Sequence, residues 1–173
     1  GLNSMRNGSP TPRGALIKEN DFEATGTWVG ARDFSGFHRL AQLAVGLGRC
    51  AAAVVLDTAQ WPPQVLGMHG ISPETANSAA RYSEQAFPDR TREAWVDDLT
   101  ASAAWASEDA GAEWRAMRHA HWLPVSPAGG QPGLALLLLD TRSTPENRLA
   151  DATLNLLTAH GADVLALWRR CEV

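Results

Sequence analysis

The residues best suited to chemistry are few and scattered. His119 and His121 stand two apart, so on a strand their imidazoles share one face. Zinc takes about four ligands, and no carboxylate or thiol stands at a helpful spacing from this pair. The two read as surface or core histidines, and the isolated His69 and His160 read the same way. The carboxylate pairs Asp97-Asp98 and Glu108-Asp109 are adjacent in sequence. Neighbours point apart on a helix or a strand, so paired acid–base work is not expected from them. Ser72, Ser78 and Ser83 lack the G-x-S-x-G setting of a hydrolase elbow. Cys50 and Cys171 form no C-x-x-C and read as two free thiols of a reducing cytosol. No nucleophile, base and orienting group can be assembled. A small redox or hydrolytic enzyme is therefore the least favoured reading.

Binding chemistry is better supplied. Seven tryptophans serve 173 residues, and Trp95, Trp105, Trp114 and Trp122 all fall in the middle of the chain. Aromatics line ligand clefts and also fill cores. Length, 45% hydrophobic residues and 20% charged residues suit one globular domain. The net charge is -4, Lys18 is the sole lysine, and the arginines are scattered. That balance excludes a general nucleic-acid binder. No apolar run reaches the length of about 20 residues that crosses a bilayer, and no signal-peptide pattern opens the chain. A cytoplasmic location with no membrane contact is expected.

The elements that must position these residues follow from the hydrophobic period. Residues 1–32 are rich in Gly, Ser, Asn and Pro and are expected to form a flexible tail or linker, leaving residues 33–173 as the domain. Phe34 to Gly48 repeats apolar residues at three- and four-residue steps, which predicts a helix capped by Asp33 or Ser35. Ala51 to Leu56 is a continuous apolar run, a strand buried on both faces. Gln64 to His69 is a second strand. The link between them is too short for a parallel crossover, so the two form an antiparallel hairpin.

Ser72-Pro73-Glu74 opens a helix running to about Gln85. A short helix is expected over residues 90–99, a weak strand over 103–107, and a short helix or ordered loop over 108–117 anchored by Trp114. His121 to Ser126 and Gly133 to Asp140 predict a second hairpin. A last helix is expected from Thr144 and Pro145 to about Arg170. Two hairpins flanked by helices give an α+β architecture, a central antiparallel sheet of about five or six strands.

In that order the chain from about Phe34 to Arg170 resembles a GAF domain. The likeness is carried by the strand Ala53-Val54-Val55-Leu56-Asp57 after a helix and by Met68-His69-Gly70-Ile71-Ser72-Pro73-Glu74. It is carried further by Gly133 to Arg142 ahead of a Pro-initiated amphipathic helix. The resemblance implies that the N- and C-terminal helices cover one face of the sheet. Middle helices and loops would form a small-molecule pocket on the other. It also implies a non-catalytic regulatory module, attached to an output domain such as a kinase, a cyclase or a transcription activator. Several branches of the family are disfavoured. Residues 78–87 hold no cysteine for a covalent bilin, the mid-domain cysteines of a methionine sulfoxide reductase are missing, and no Asn-Lys-x-Phe-Asp-Glu signature marks a cyclic-nucleotide binder. A haem would need an axial ligand, for which His119 and His121 are the candidates and nothing selects either.

The ligand and any cofactor stay unknown at this level. Pocket candidates are His69, Tyr82, Trp95, Trp105, Trp114, His121 and Trp122. The last helix carries two apolar stripes, one of Leu149, Ala152, Leu156, Ala159 and Leu167, the other of Leu154, Leu157, Val164, Leu165 and Trp168. Two stripes mean two partner surfaces. A homodimer is expected, with Phe37, Leu40, Leu154, Leu157, Leu165 and Trp168 at its interface. The alternative is a dimerisation or interaction module whose tryptophans fill the pocket.

Overall fold

In the computed structural model, residues 33–108, 111–126, 133–142 and 149–170 are described. Two strands with no polar face dictate the architecture. β1 (Ala52–Asp57) and β5 (Leu134–Asp140) are buried at every position and pair antiparallel at the centre of the sheet. β2 (Gln64–His69) flanks β1, and β4 (His119–Val125) flanks β5. β3 (Ala94–Val96) closes the far edge, giving the order β2-β1-β5-β4-β3, antiparallel throughout.

Alternate residues of each strand feed opposite layers. Leu134, Leu136 and Leu138 join Ala53, Val55, Leu123 and Val125 beneath α1 (Ser35–Gly48) and α5 (Asp151–Arg170). Ala135, Leu137 and Leu139 join Val54, Leu56 and Trp122 beneath α2 (Pro73–Ala86), α3 (Ala103–Ala106) and α4 (Ala112–Arg115). The α+β fold, both hairpins and the terminal helices on one face are as the sequence predicts.

Local chemistry sets the ends of the helices. The Asp33 carboxylate accepts from Ser35 N–H and from its hydroxyl, each at 2.9 Å, ahead of the first turn of α1. Ser72 Oγ accepts from Thr75 N–H, and Pro73 occupies the first turn of α2, where a missing N–H costs nothing.

Three expectations need correction. Residues 90–99 do not form a helix: they hold β3, followed by a 3-10 turn at Leu99–Ala101. Tertiary pairing overrides helix propensity there, since β3 lies along β4 with Trp95 opposite His121, and Leu99 N–H donates to Arg118 O at 2.8 Å. Residues 103–107 are not a strand: α3 forms because Ser102 Oγ accepts from Trp105 N–H, a side-chain cap that starts a turn. The last helix starts at Asp151 and not at Thr144, because Leu149 and Ala150 are non-helical. Thr144 and Pro145 themselves lie outside the described residues, as do residues 1–32. The 20 residues of α5 span about 30 Å at 1.5 Å per residue. Smaller differences are that β4 begins at His119, two residues early, and that α1 begins at Ser35.

The β1–β2 edge shows how tightly one helix is docked. The register jumps between Val55 and Leu56, so Leu66 is an extra residue on β2. Beside this bulge, α1 crosses Gly67 so closely that an added Cβ would lie 2.6 Å from the Phe37 carbonyl carbon and 2.8 Å from His38 N. His38 Nδ1 also accepts from Met68 N–H at 3.2 Å, covering an edge amide of β2. Both obstructing atoms at Gly67 are backbone, so a side chain there must displace the helix. Gly67→Ala should therefore lower unfolding stability by about 2–4 kcal/mol, at or beyond the upper range for overpacking. Urea denaturation measures this, and a loss under about 0.5 kcal/mol, the ordinary surface range, would contradict the close approach.

Candidate functional site

The face covered by α2, α3 and α4 is built around aromatic side chains. Tyr82 from α2 lies 5.5 Å from Trp114 of α4 and 6.0 Å from Phe87 between ring centroids. Phe87 stacks on Trp122 of β4 at 5.1 Å, and Trp61 meets Trp122 edge-on at 6.3 Å. Tyr82, Trp114 and Trp122 are buried almost completely. Two of the indoles are satisfied: Trp114 Nε1 donates to Trp105 O and Trp122 Nε1 to Arg90 O, each at 3.1 Å.

Other polar atoms here are not satisfied. Tyr82 Oη, Trp105 Nε1 and Thr58 Oγ1 are buried without a hydrogen-bond partner. The Ser102 hydroxyl is close enough to Tyr82 to oppose its shift without making a full bond. Burial nonetheless pushes the Tyr82 phenol up to about 12. An unsatisfied buried donor costs about 1–3 kcal/mol, and Tyr82 and Trp105 place two of these three under the short roof.

Polar staples hold the roof down. Glu113 of α4 accepts from Ser72 N–H and Ser72 Oγ, both at 3.0 Å, at the start of α2. Arg81 of α2 pairs with Glu108 beyond α3 at 2.9 Å. Bonds from the Thr75 hydroxyl and then the Ser72 N–H hold the Glu113 carboxyl below the usual carboxylate range.

The expected pocket set divides between the two faces. Tyr82, Trp105, Trp114 and Trp122 share the roof face. Trp95 and His121 do not join them. They are paired across β3 and β4 on the opposite face, where their rings stack at 4.7 Å. Strand alternation explains the split, because His121 and Trp122 are neighbours. His69 sits exposed at the end of the edge strand β2. His121 Nε2–H donates to Glu93 Oε2 at 2.7 Å, whereas His119 Nδ1 is 3.8 Å from Asp97. Among the described residues, no group of three or more His, Cys, Asp or Glu side chains is placed to hold a metal. Burial first, then the Asp140 charge, pushes the Cys50 thiol up to about 11, a poor nucleophile at neutral pH. Cys171 lies outside the described residues.

The residues expected at a dimer interface pack against the sheet. Phe37, Leu40, Leu157 and Leu165 are buried against the sheet within one chain, and Leu154 and Trp168 are half-buried beside them. Trp168 meets the Phe37 ring edge-on at 5.3 Å. The other stripe of α5 faces outward: Leu156 is 55% and Leu167 60% exposed. Phe34 and Leu47 of the α1 segment are exposed too. The stripe of Leu157 and Leu165 is thus the one that meets the sheet. One residue carried the missed signal. Gly161 lies on the Leu157–Leu165 stripe, where an added Cβ would meet Val125 at 3.2 Å, so the close sheet contact was marked by a glycine.

No family model matches the sequence, and no curated protein matches it. Solved structures do match. The GAF domain region of a protein from Geobacter sulfurreducens superposes with a TM-score of 0.53 at 16% identity, over 77% of this chain and 90% of that one. The chain has a GAF-like fold. A red/green cyanobacteriochrome in its green-light-absorbing state is similar with a TM-score of 0.54 at 15% identity, over 79% of this chain and 94% of that one. Residues 122 to 287 of a methyl-accepting chemotaxis protein give 0.53 at 16% identity, over 82% and 94%.

Within this GAF-like domain the roof staple has a definite pH signature. The folded pKa of Glu113 is lowered, so its stabilisation is present above the unfolded value near 4.5 and is lost as pH falls through the lower folded value. The group is largely exposed, so the effect after solvent screening is under about 1 kcal/mol. Glu113→Gln should reduce stability at pH 7, and the loss should shrink as pH falls below 4.5 through the lowered folded value. Urea midpoints from pH 7 downward measure this, and a loss that does not change with pH would rule out the charged staple.

Proposed function

We propose that this chain is a non-catalytic sensory module of the cytoplasm. It binds a small molecule beneath the α2–α4 roof and signals through α1 and α5 to an output domain or partner. The observation that carries the reading is the pair of buried, partnerless donors at Tyr82 and Trp105 under a roof of short helices. A GAF-like fold supports the same assignment, because its structural relatives include a chemotaxis protein and a photoreceptor. Acceptor atoms on the ligand would satisfy donors that the protein leaves unmade. Binding would then favour one arrangement of the roof, by no more than its differential affinity for the two arrangements.

Tyr82→Phe separates ligand binding from stability. Removing a buried hydroxyl that lacks a partner should leave the free domain as stable as before or slightly more so, within about 1 kcal/mol. The same change should weaken any ligand found by a thermal-shift screen of small carbonyl and carboxylate compounds. Loss of stability with no change in binding would place the hydroxyl in the fold and not in the site.

A second reading is favoured by the burial of Tyr82, Trp114 and Trp122, whose rings occupy much of the space beneath the roof. In that version the module is an interaction platform that dimerises through the outward faces of α1 and α5. The exposed side chains Phe34, Leu47, Leu156 and Leu167 would then meet their copies. Native mass spectrometry distinguishes the two readings. A retained small molecule supports the sensor, and a ligand-free dimer split by Leu156→Asp supports the platform. A monomer that takes up nothing in the screen would contradict both.

A further inference from the structure

Two buried donors that lack acceptors come together where α2 meets α3. Tyr82 of α2 is 1% exposed, and its hydroxyl has no hydrogen-bond partner. Trp105 of α3 is half-buried, but its Nε1–H is shut away from water and has no partner either. Ser102 links the two. Its Oγ accepts from Trp105 N–H at 3.3 Å, and its hydroxyl lies beside the Tyr82 phenol. Trp114 braces the same spot: its ring is 5.5 Å from that of Tyr82, and its Nε1–H donates to Trp105 O at 3.1 Å.

The chemistry of these groups selects among ligands. Phenol, indole and serine hydroxyl are neutral donors, and one carbonyl oxygen has lone pairs for two of them. Ala79, Phe87, Leu99 and Met117 belong to the same core, so the surroundings are apolar. Burial is the largest cause of the raised Tyr82 pKa, which marks this layer as one where a charge is penalised. A carboxylate moved here from water would lose its hydration and gain only neutral donors. An amide loses far less, because its carbonyl and N–H both find partners.

We infer that the ligand of the roof is an uncharged carbonyl compound, an amide or lactam on a small apolar frame. Its carbonyl oxygen would accept from the Tyr82 hydroxyl and from Trp105 Nε1–H, the two donors left unmade. Its N–H would donate to the remaining lone pair of Ser102 Oγ, a hydroxyl oxygen with two such pairs and one already in use. The inference rests on the sensory reading of the roof and narrows it to one class of compound.

The test follows the indole N–H signals of the isotope-labelled 173-residue chain by NMR. Benzamide and ε-caprolactam are titrated beside charged counterparts of similar frame, benzoate and hexanoate. The expected result is saturable binding of an amide that moves the Trp105 Nε1–H signal, which Trp105→Phe identifies by its loss. The matching carboxylate should bind about tenfold more weakly or not at all. Tyr82→Phe should weaken amide binding about three- to tenfold, the scale of one hydrogen bond. Trp95→Phe, on the opposite face, should leave it unchanged. Equal or tighter binding of the carboxylate overturns the inference. So does amide binding that leaves the Trp105 signal in place or is indifferent to Tyr82→Phe, and so does absence of saturation by either amide up to roughly 20 mM. In each of these cases the ligand class alone fails if another compound of the thermal-shift screen moves the Trp105 signal. The sensory reading fails with it if none does.

Discussion

A strand with no polar side must be covered twice, and this domain has two of them side by side. β1 and β5 carry Ala, Val and Leu at nearly every position, and all of those side chains are buried. Each leucine fully withdrawn from water contributes about 1.5–3 kcal/mol, so leaving either face open would forfeit much of the fold. The chain answers with α1 and α5 on one face and α2 to α4 on the other. Their placement follows from this demand more than from any preference of the helices themselves.

The two covers are built differently. α1 and α5 are long helices that present apolar stripes, and their contact with the sheet is side chain against side chain. α3 and α4 are four residues each, far below the length at which an isolated helix holds together. They persist through Trp114, the Ser102 cap, the Arg81–Glu108 pair and the Glu113 bonds to Ser72. Few of their residues are buried, which places this cover at the low end of local stability. A cover of that kind repacks at lower cost than the terminal-helix face.

What the sequence made legible follows the same physics. Both hairpins could be read because continuous apolar runs were joined by links too short for a crossover. The cap at Ser72 could be read because Pro73 follows it. β3 could not: three residues of Ala-Trp-Val carry no period, and only the ladder with β4 makes them a strand. α3 was equally opaque, since a one-turn helix depends on the Ser102 side chain and not on a repeat. In α5 both stripes are apolar, so hydrophobicity alone could not say which one meets the sheet. Trp122 and His121 were both pocket candidates. On a strand adjacency separates faces, and this places His121 beside Glu93 and away from the roof.

The two covers rest on structure they share. The strands are that structure: Trp122 lies under the roof while Leu123, the next residue, lies under α5, and Leu137 and Leu136 repeat the arrangement on β5. A shift of Trp122 that the roof allows moves the backbone on which Leu123 stands. Interiors packed at crystal-like density transmit such displacements because they cannot absorb them. A displacement on either face therefore acts on one strand from opposite sides.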